Sequence, residues 1–287
     1  MKIAYLITAY NNFLHLERLI NALNDRTNPV FYVHIDKKSK MPDIFNNLKN
    51  VIFIKRRRIW WGGWSHLASI IDLIREASRN NYEYYILLSG TDYPIRNNSF
   101  LYQKLNEGGE FINIIEGFQE HKPRDRVKYY YFDQFDRRNK NSSRTKFFLF
   151  LERIMRKKFT KKKFPFLKIY HGSTWWALTQ ATVNYVLEFT DANPKFVKFF
   201  RTSWCPEEAY IPTIIGNSDI KNNCKTNLTY MDWSTEPAPA LLSFDHICLF
   251  SKQKEFDGVY GKYSPFFARK FRDDSLELIK EIEISLR

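Results

Sequence analysis

The first 116 residues alternate short apolar runs with amphipathic segments, and this alternation restricts the chain to a small set of folds. Between the runs, apolar residues recur three and four positions apart at 16–23 and 67–74, which is the spacing of one helix face. Strands that alternate with helices favour a mainly parallel sheet flanked by helices. We therefore predict an α/β fold. The predicted strands lie at 3–7, 30–35, 51–54, 84–88 and 111–115.

Acidic residues follow three of the predicted strands. Asp36, Asp92 and Glu116 each come just after an apolar run, and the three runs are separate. In open α/β sheets, ligands bind outside the carboxyl ends of the strands. These carboxylates therefore predict a ligand site at that edge of the sheet.

The second half of the chain is less regular. Residues 147–164 predict a basic, aromatic amphipathic helix followed by a lysine-rich loop, and 180–189 a further helix. Apolar residues at 276, 279, 282 and 286 predict a surface helix over about 275–286. Because the sequence contains neither an internal repeat nor a Gly/Ser-rich linker, we predict a single domain over 1–287, with one basic insertion at about 122–168.

Positive charge is concentrated in that insertion. The formal net charge is +14, and the segment from Lys122 to Lys163 contains 16 Lys and Arg against four acids, so the rest of the chain carries only +2. Such a tract fits a nucleic acid, an anionic lipid surface, an anionic soluble substrate or a merely solvated positive face. The charge pattern leaves these four interpretations open.

Composition and missing motifs exclude several classes of protein. With 44% hydrophobic and 26% charged residues the chain is globular, and no window approaches the roughly 18 apolar residues of a membrane span. The run at 3–7 is too short for a signal peptide, and three cysteines predict a reducing compartment rather than a disulfide framework. No phosphate-binding glycine loop, nucleophile elbow or cluster with metal-ligand spacing is present, so we expect neither a metal nor a cofactor.

Five short motifs carry the functional signal: WWGGWS (60–65), LLSGTDYPI (87–95), HGSTWWALT (171–179), SWCPEEAYIPTI (203–214) and FFARKF (266–271). With HIDKKS after the second strand, their order resembles that in the core-2/I-branching β-1,6-N-acetylglucosaminyltransferases and peptide O-xylosyltransferases. The resemblance extends from Met1 to about Phe271. It implies a GT-A type nucleotide-sugar fold and inverting transfer from a UDP-sugar to a glycan without a metal.

The resemblance assigns the catalytic base to the PEE motif. Inverting transfer needs a carboxylate that takes the proton from the acceptor hydroxyl as it attacks the anomeric carbon. Pro206 suits the first position of a helix, and Glu207 and Glu208 then fall in the first turn, where the dipole stabilises an anion by about 0.3–1 kcal/mol. Spacing alone also fits two ordinary first-turn acids. Glu208 matches the family's base, and Glu207 is its neighbour on the acceptor side.

The leaving diphosphate needs its charge neutralised, by a metal or by cations. Lys270 matches the family's diphosphate-binding lysine, and Arg269 stands beside it. In the family, the second cation is an arginine upstream of an Ile-Cys pair. In this chain an Asp-His pair that ends at His246 precedes the Ile-Cys pair, so the arginine is missing. His246, Lys252 or Lys254 would fit instead.

Four more residues are predicted to line the donor site. Asp36 resembles the residue on the uracil and ribose side, since a carboxylate at a strand end accepts hydrogen bonds from both. Ser89, Gly90 and Asp92 of SGTDYP complete the pocket, and Gly90 would let backbone approach the ligand. Asp92 also fits a turn residue before a Tyr-Pro pair.

For the acceptor, the resemblance implies a further group of residues. Glu116 lies where the family keeps a sugar-binding glutamate, and Lys122 or Arg126 follows at approximately the family's spacing. Trp233 matches a tryptophan that packs on acceptor sugar. Trp175 would present a ring face to sugar C–H groups, although tryptophan is equally a large core residue.

The basic tract lies outside the motif set, and it interleaves phenylalanines with cations. We expect it to dock on an anionic membrane, where lipid-linked bacterial glycans are assembled. Golgi members of the family carry an N-terminal anchor, whereas here the first strand starts at Ile3, which favours a bacterial cytoplasmic enzyme on the inner face of the membrane. A nucleic-acid-binding protein that uses the same tract, or a catalytically inactive sugar-binding homologue, remains an alternative.

Overall fold

The computed structural model describes residues 1–41, 49–160, 164, 168–236 and 238–287. In chain order the strands are β1 (Ile3–Ala9), β2 (Val30–Ile35), β3 (Val51–Phe53), β4 (Tyr84–Ser89), β5 (Asp92–Pro94), β6 (Glu110–Ile112), β7 (Ile115–Glu116), β8 (Tyr170–His171), β9 (Trp176–Thr179), β10 (Cys224–Lys225), β11 (Thr229–Met231), β12 (Phe256–Gly258), β13 (Gly261–Tyr263) and β14 (Phe267–Arg269). The helices are α1 (Phe13–Leu23), α2 (Trp64–Ala77), α3 (Asn98–Asn106), α4 (Asp125–Lys128), α5 (Ser143–Lys158), α6 (Gln180–Ala192), α7 (Pro194–Phe200), α8 (Tyr210–Gly216), α9 (Phe244–Lys252) and α10 (Leu276–Ser285). Two 3-10 turns cover Pro206–Glu208 and Asp219–Asn223.

A seven-stranded sheet in the order β10-β6-β9-β4-β1-β2-β3 forms the centre of the fold. Strands β3, β2, β1 and β4 run parallel, β9 is antiparallel to both β4 and β6, and β10 is parallel to β6. The predicted α/β fold, with a mostly parallel sheet flanked by helices, is confirmed. No helix in the described residues is long and apolar enough to cross a membrane.

The central strand β1 shows why the predicted strands are apolar at nearly every position. Its odd-numbered residues, such as Tyr5 and Ile7, pack into a core with α1, α9 and α10. Its even-numbered residues Ala4 and Leu6 pack into a second core with α2, α6 and α8. A strand with helices on both faces buries both sets of side chains, which removes the alternation seen in half-exposed strands.

Two expectations about local structure are wrong. The predicted fifth strand at 111–115 is two strands, because the chain leaves the central sheet after β6 and forms β7, which pairs antiparallel with β8. Glu116 therefore lies in this small two-stranded sheet and not at the end of a central strand. The predicted helix start at Pro206 is a single 3-10 turn, because Ala209 departs from helical geometry before α8 begins.

A smaller sheet in the order β11-β14-β5 brings the C-terminal part of the chain to the edge of the central sheet. In the antiparallel register of β14 and β5, Arg269 stands opposite Asp92. Helix α10 buries Leu278, Ile279 and Ile282 against the α1 side of the core. The basic segment contains α4 and α5, and Lys161, Lys162 and Lys163 lie outside the described residues.

Candidate active site

The structure brings the predicted site residues into two groups. The first, the Glu208 cluster, consists of Glu208, Lys122 and Arg126. The second, the Asp92 cluster, consists of Asp92, Ser89, Arg269 and Lys270. Residues 172–175 connect them, since Gly172 bonds to the first cluster and Trp175 packs on the second. Three residues of chain span at most about 11 Å, so the two clusters are neighbours.

The carboxylate of Glu208 is held by two cations. Nη1 of Arg126 donates to Oε2 of Glu208 at 2.7 Å, and Nζ of Lys122 lies 3.3 Å from the same oxygen. The Glu208 side chain keeps 26% of its surface exposed. Among the described residues, the hydrogen bond to this carboxylate goes to Oε2, and none goes to Oε1. One carboxylate oxygen is therefore anchored, and the other is available for a proton.

Backbone contacts fix the turn that carries Glu208. Cys205 adopts a left-handed conformation (φ 46°), and its N–H donates to the carbonyl of Gly62 at 2.8 Å. The Glu208 carbonyl accepts from the N–H of Gly172 at 2.8 Å. Gly62 has φ 68°, and a Cβ there would overlap the ring of Trp204. The WGGW and WCPEE motifs therefore pack against each other next to Glu208.

Glu207 points into the protein rather than into open space. Its Oε1 lies 3.2 Å from Nδ1 of His66, and its Oε2 is buried without a hydrogen-bond partner among the described residues. Burial raises the pKa of the adjacent Asp133, and Glu207 adds to that rise, while hydrogen bonds from Ser65 oppose it. The Glu207 carboxylate is therefore directed into the protein, and its predicted place on the acceptor side stays a prediction.

Asp92 is fully buried, and its partners are internal. It accepts hydrogen bonds from the backbone N–H and the hydroxyl of Ser89, at 2.8 and 2.7 Å, and Nε of Arg269 lies 3.2 Å from Oδ1. Burial raises the pKa of Asp92, although Arg269 and Ser89 act in the opposite direction. The guanidinium of Arg269 also lies 4.2 Å above the ring of Trp175. The guanidinium of Arg269 is therefore held between the carboxylate of Asp92 and the ring of Trp175.

Gly90 and Asp36 also have structural partners. A Cβ on Gly90 would lie 2.8 Å from Cβ of Ala9, so tight packing between the ends of β4 and β1 requires glycine there, and close approach of a ligand need not be invoked. Asp36 directly follows β2, and its Oδ1 accepts from the backbone N–H groups of Lys38 and Ile59 at 2.9 and 3.2 Å. It thereby joins two loops at the carboxyl edge of the sheet.

Lys270 lies among other cations. Burial lowers the pKa of Lys270, and the charges of Arg269 and Arg138 lower it further. Arg138 belongs to the basic segment and pairs with Asp136. The distance from Nε of Arg138 to Oδ1 of Asp136 is 3.2 Å. Motif comparison missed Arg138, because its only signal in the sequence was its membership of the charged tract. His246, which sequence reasoning considered for this role, lies 3.1 Å from Asp232 instead.

The basic segment is therefore a wall of the site as well as a surface. Lys122 and Arg126 reach Glu208, and Arg138 reaches the surroundings of Lys270. Arg137 pairs with Glu152, which is buried on α5, and its guanidinium lies 4.6 Å from the ring of Trp204. Part of the segment's positive charge is thus directed inward.

The remaining acceptor-side residues are spread more widely. Glu116 is exposed, pairs with Lys168 at 2.9 Å and accepts from the Tyr170 hydroxyl at 3.3 Å. Its hydrogen bond from Lys168 lowers the pKa of Glu116. Trp175 is buried under Arg269, whereas Trp233 is 65% exposed and presents its ring to solvent. No group of three His, Cys, Asp or Glu residues in the described ranges is arranged to hold a metal ion.

Comparison with known proteins identifies a family. The model of the family described as Core-2/I-Branching enzyme matches residues 3–254. Xylosyltransferase 2 of Rattus norvegicus is 26% identical over 98% of this chain and 33% of its own length, and Xylosyltransferase 2 of Homo sapiens is 27% identical with the same coverage. The chain thus spans about a third of the length of these curated relatives. A crystal structure of S. aureus TarS is 16% identical over 39% of this chain and 21% of its own, and its TM-score of 0.29 is too low to support an argument.

Proposed function

The chain belongs to the Core-2/I-Branching enzyme family, as its motifs predicted, and we propose that it is an inverting glycosyltransferase that moves a sugar from a UDP-sugar to a hydroxyl of a glycan. We take residues 1–287 as one catalytic domain of the GT-A type. The observation that supports this proposal most directly is Glu208, a partly exposed carboxylate anchored through one oxygen by Lys122 and Arg126.

Glu208 acts as the general base of the proposed transfer. The acceptor hydroxyl gives its proton to the carboxylate while its oxygen bonds to the anomeric carbon, and the bond from that carbon to the diphosphate breaks with its electron pair on the leaving group. Because Oε2 is held by two cations, the carboxylate keeps a fixed orientation as the acceptor approaches. Gln would keep the shape of this residue but would not accept the proton.

Lys270 neutralises the charge that develops on the leaving UDP, and Arg138, whose charge lowers the pKa of Lys270, provides a second cation in the same region. Arg269 is held by Asp92 and contributes to the same positive field. A cluster of cations would serve the function that a divalent ion serves in other transferases, so we propose that the reaction needs no metal. The donor sugar is N-acetylglucosamine or xylose by family precedent, and glucose and galactose remain candidates.

The acceptor in this proposal is a glycan or a lipid-linked glycan of bacterial surface polysaccharide or glycoconjugate synthesis. Trp233 offers an exposed ring for it. Such acceptors are built at the inner face of the membrane, and the exposed side of α5 suits that location. Phe147 and Phe150 are 60% and 61% exposed, and Ile154 continues the same helical stripe. The one acid on α5, Glu152, is buried, so the exposed side combines apolar and cationic groups.

The transfer proposal is tested by screening UDP-sugars for hydrolysis and transfer, with and without EDTA. We expect activity that survives chelation, and a Glu208→Gln variant that binds UDP normally but transfers nothing above a thousandth of the wild-type rate. Glu188→Gln, on the exposed side of α6, serves as the matched control and should be fully active. Loss of activity with EDTA would disprove the metal-free mechanism. UDP binding without any transfer by the unchanged chain would favour an inactive sugar-binding homologue.

Membrane docking is tested by sedimentation with neutral and anionic vesicles. The double variant Phe147→Ser/Phe150→Ser should bind anionic vesicles at least tenfold more weakly, while Phe244→Ser, which removes a ring that is 55% exposed from α9, should not. Equal binding to both kinds of vesicle would contradict the proposal. Salt-sensitive RNA binding without UDP binding would favour the nucleic-acid alternative.

A further inference from the structure

A polar cavity of about 430 Å³ is lined in part by Tyr260, whose hydroxyl contacts Lys122 of the Glu208 cluster. Its walls come from β6, β8, the 3-10 turn Asp219–Asn223, β10 and the loop before β13, so it lies at the outer edge of the central sheet. Its volume lies within the range of small-molecule sites. The residues that line it are Ile112, Asn113, Ile114, Tyr170, Lys221, Asn222, Cys224, Lys225, Thr226 and Tyr260.

One ammonium group connects this cavity to the proposed base. Nζ of Lys122 donates to the hydroxyl of Tyr260 at 3.0 Å and lies 3.3 Å from Oε2 of Glu208. The same group donates to the carbonyl of Gly172. Lys122 therefore links the proposed base to a wall of the cavity.

The frame of the cavity is rigid on the side nearest the base. Oδ1 of Asn113 accepts from the backbone N–H of Asn227 at 2.9 Å, and a Cβ on Gly172 would collide with the carbonyl of Asn113. The ring of Tyr170 is packed against Gly216. These contacts shape the cavity before any ligand enters, which lowers the ordering cost of binding.

The charged side chains that line the cavity are all positive. Lys221 and Lys225 face the cavity, and no carboxylate belongs to its lining. Glu116 accepts from the hydroxyl of Tyr170 and pairs with Lys168 at 2.9 Å; the charge of Lys221 also lowers the pKa of Glu116, but less than Lys168 does. Lys225 donates to the carbonyl of Glu107 at 3.2 Å and lies 4.0 Å from that residue's carboxylate, so Lys221 is the cation with more freedom to meet a ligand.

We propose that this cavity binds an anionic sugar unit of the acceptor, at least one unit away from the hydroxyl that is attacked. Amide, hydroxyl and ammonium donors meet the sugar oxygens, and Lys221 meets a carboxylate or phosphate on the ring. This inference rests on the proposed glycosyl transfer and narrows its acceptor to an acidic glycan.

Two matched pairs of probes test it, each measured by calorimetry with UDP present. Hyaluronan tetrasaccharide is compared with neutral chitotetraose for a carboxylate, and N-acetylglucosamine 6-phosphate with N-acetylglucosamine for a phosphate. We expect the charged member of one pair to bind at least tenfold more tightly than its neutral partner. Lys221→Gln should abolish that preference, and Asn222→Asp, which adds a negative charge to the cavity, should weaken the charged probe further.

Lys280→Gln, which removes the same charge from α10, is the matched control and should leave the preference intact. Equal or absent binding of both members in both pairs, or equal effects of Lys221→Gln and Lys280→Gln, would overturn the assignment. Failure of the proposed function has a different signature, because the unchanged chain would then neither bind UDP nor hydrolyse any UDP-sugar.

Discussion

The guanidinium of Arg126 lies 2.7 Å from the carboxylate of Glu208, although 82 residues separate them in the chain. Arg126 belongs to the basic segment and Glu208 to the 3-10 turn before α8. The carbonyl of Arg126 also accepts from the N–H of Trp204, so backbone and side chain together join the segment to the turn. The basic segment is therefore part of the machinery that we propose for transfer.

We expect Arg126→Ala to reduce transfer by about a hundredfold while UDP binding stays within twofold of wild type, since the arginine orients the base and is not a donor contact. Arg126→Lys keeps the charge but loses the planar guanidinium with its rigid set of donors, so we expect the transfer rate to fall about tenfold. Transfer rates and UDP calorimetry on the two variants check this. A fall in UDP affinity as large as the fall in rate would show that Arg126 acts on the donor instead.

Arg138→Gln should weaken UDP binding about tenfold, which corresponds to about 1.4 kcal/mol, because one of the cations near Lys270 is lost. Binding of uridine, which has no diphosphate, should not change. Arg79→Gln, which removes an exposed arginine of the Glu76 pair, is the control for net charge. If uridine and UDP weaken equally, Arg138 does not read the diphosphate.

Gly62 and Gly108 form a matched pair for the role of the WGGW motif. Both have a left-handed φ, 68° and 69°, but a Cβ would overlap Trp204 at Gly62 and would meet nothing within 4 Å at Gly108. Gly108→Ala should cost only the backbone strain of about 1–2 kcal/mol. Gly62→Ala should cost several kcal/mol more in urea unfolding and should impair transfer, since Cys205 bonds to its carbonyl. Equal losses for the two variants would contradict this explanation.

Stability should fall on acidification between about pH 6.5 and pH 4. Burial lowers the pKa of His15, His34 and His171 to about 4 in the folded chain. In this window the unfolded chain binds more protons than the folded chain, so the free energy of unfolding decreases as the pH falls. Nε2 of His34 accepts from the N–H of Arg57 at 2.8 Å and must lose that bond when it is protonated.

Urea midpoints at pH 7, 5.5 and 4.5 measure this dependence. His34→Gln keeps an acceptor for Arg57 but cannot take up the proton, so its midpoint should change less with pH than that of the wild type. An unchanged slope in this variant would show that His34 contributes nothing to acid sensitivity.

The early strands and helices were predictable from their pattern. In β1, β2 and β4 almost every residue is buried, because helices cover both faces of the sheet. Strands that are buried on both faces have continuous apolar sequences, and this pattern is visible in the sequence. Helices α1 and α2 bury a stripe at helical spacing, which the sequence displays equally clearly. The prediction of a single strand at 111–115 is wrong, because an apolar run indicates burial but does not indicate the sheet to which each residue belongs.

Predictions about single site residues stay predictions, although packing accounts for some of these residues. Gly90 is expected to make room for a ligand, and its close approach to Ala9 also requires a glycine there. Trp175 is expected on the acceptor or in the core, and it is buried under Arg269. Glycine and tryptophan serve packing and binding equally well, so their identity in a motif does not distinguish the two roles.

The amino-acid sequence alone determined the family and the α/β class, and it supplied the acidic residue that we propose as the base, since these depend on local pattern and on short motifs whose residues are contiguous. Only the tertiary structure decided which groups the cations meet: Lys122 and Arg126 meet Glu208, the charge of Arg138 acts on Lys270, and Lys122 also contacts Tyr260 at the wall of a cavity. The reason is physical, because an ion pair between distant positions depends on the path of the chain, and a basic tract looks the same in sequence whether its charges face water or an active site.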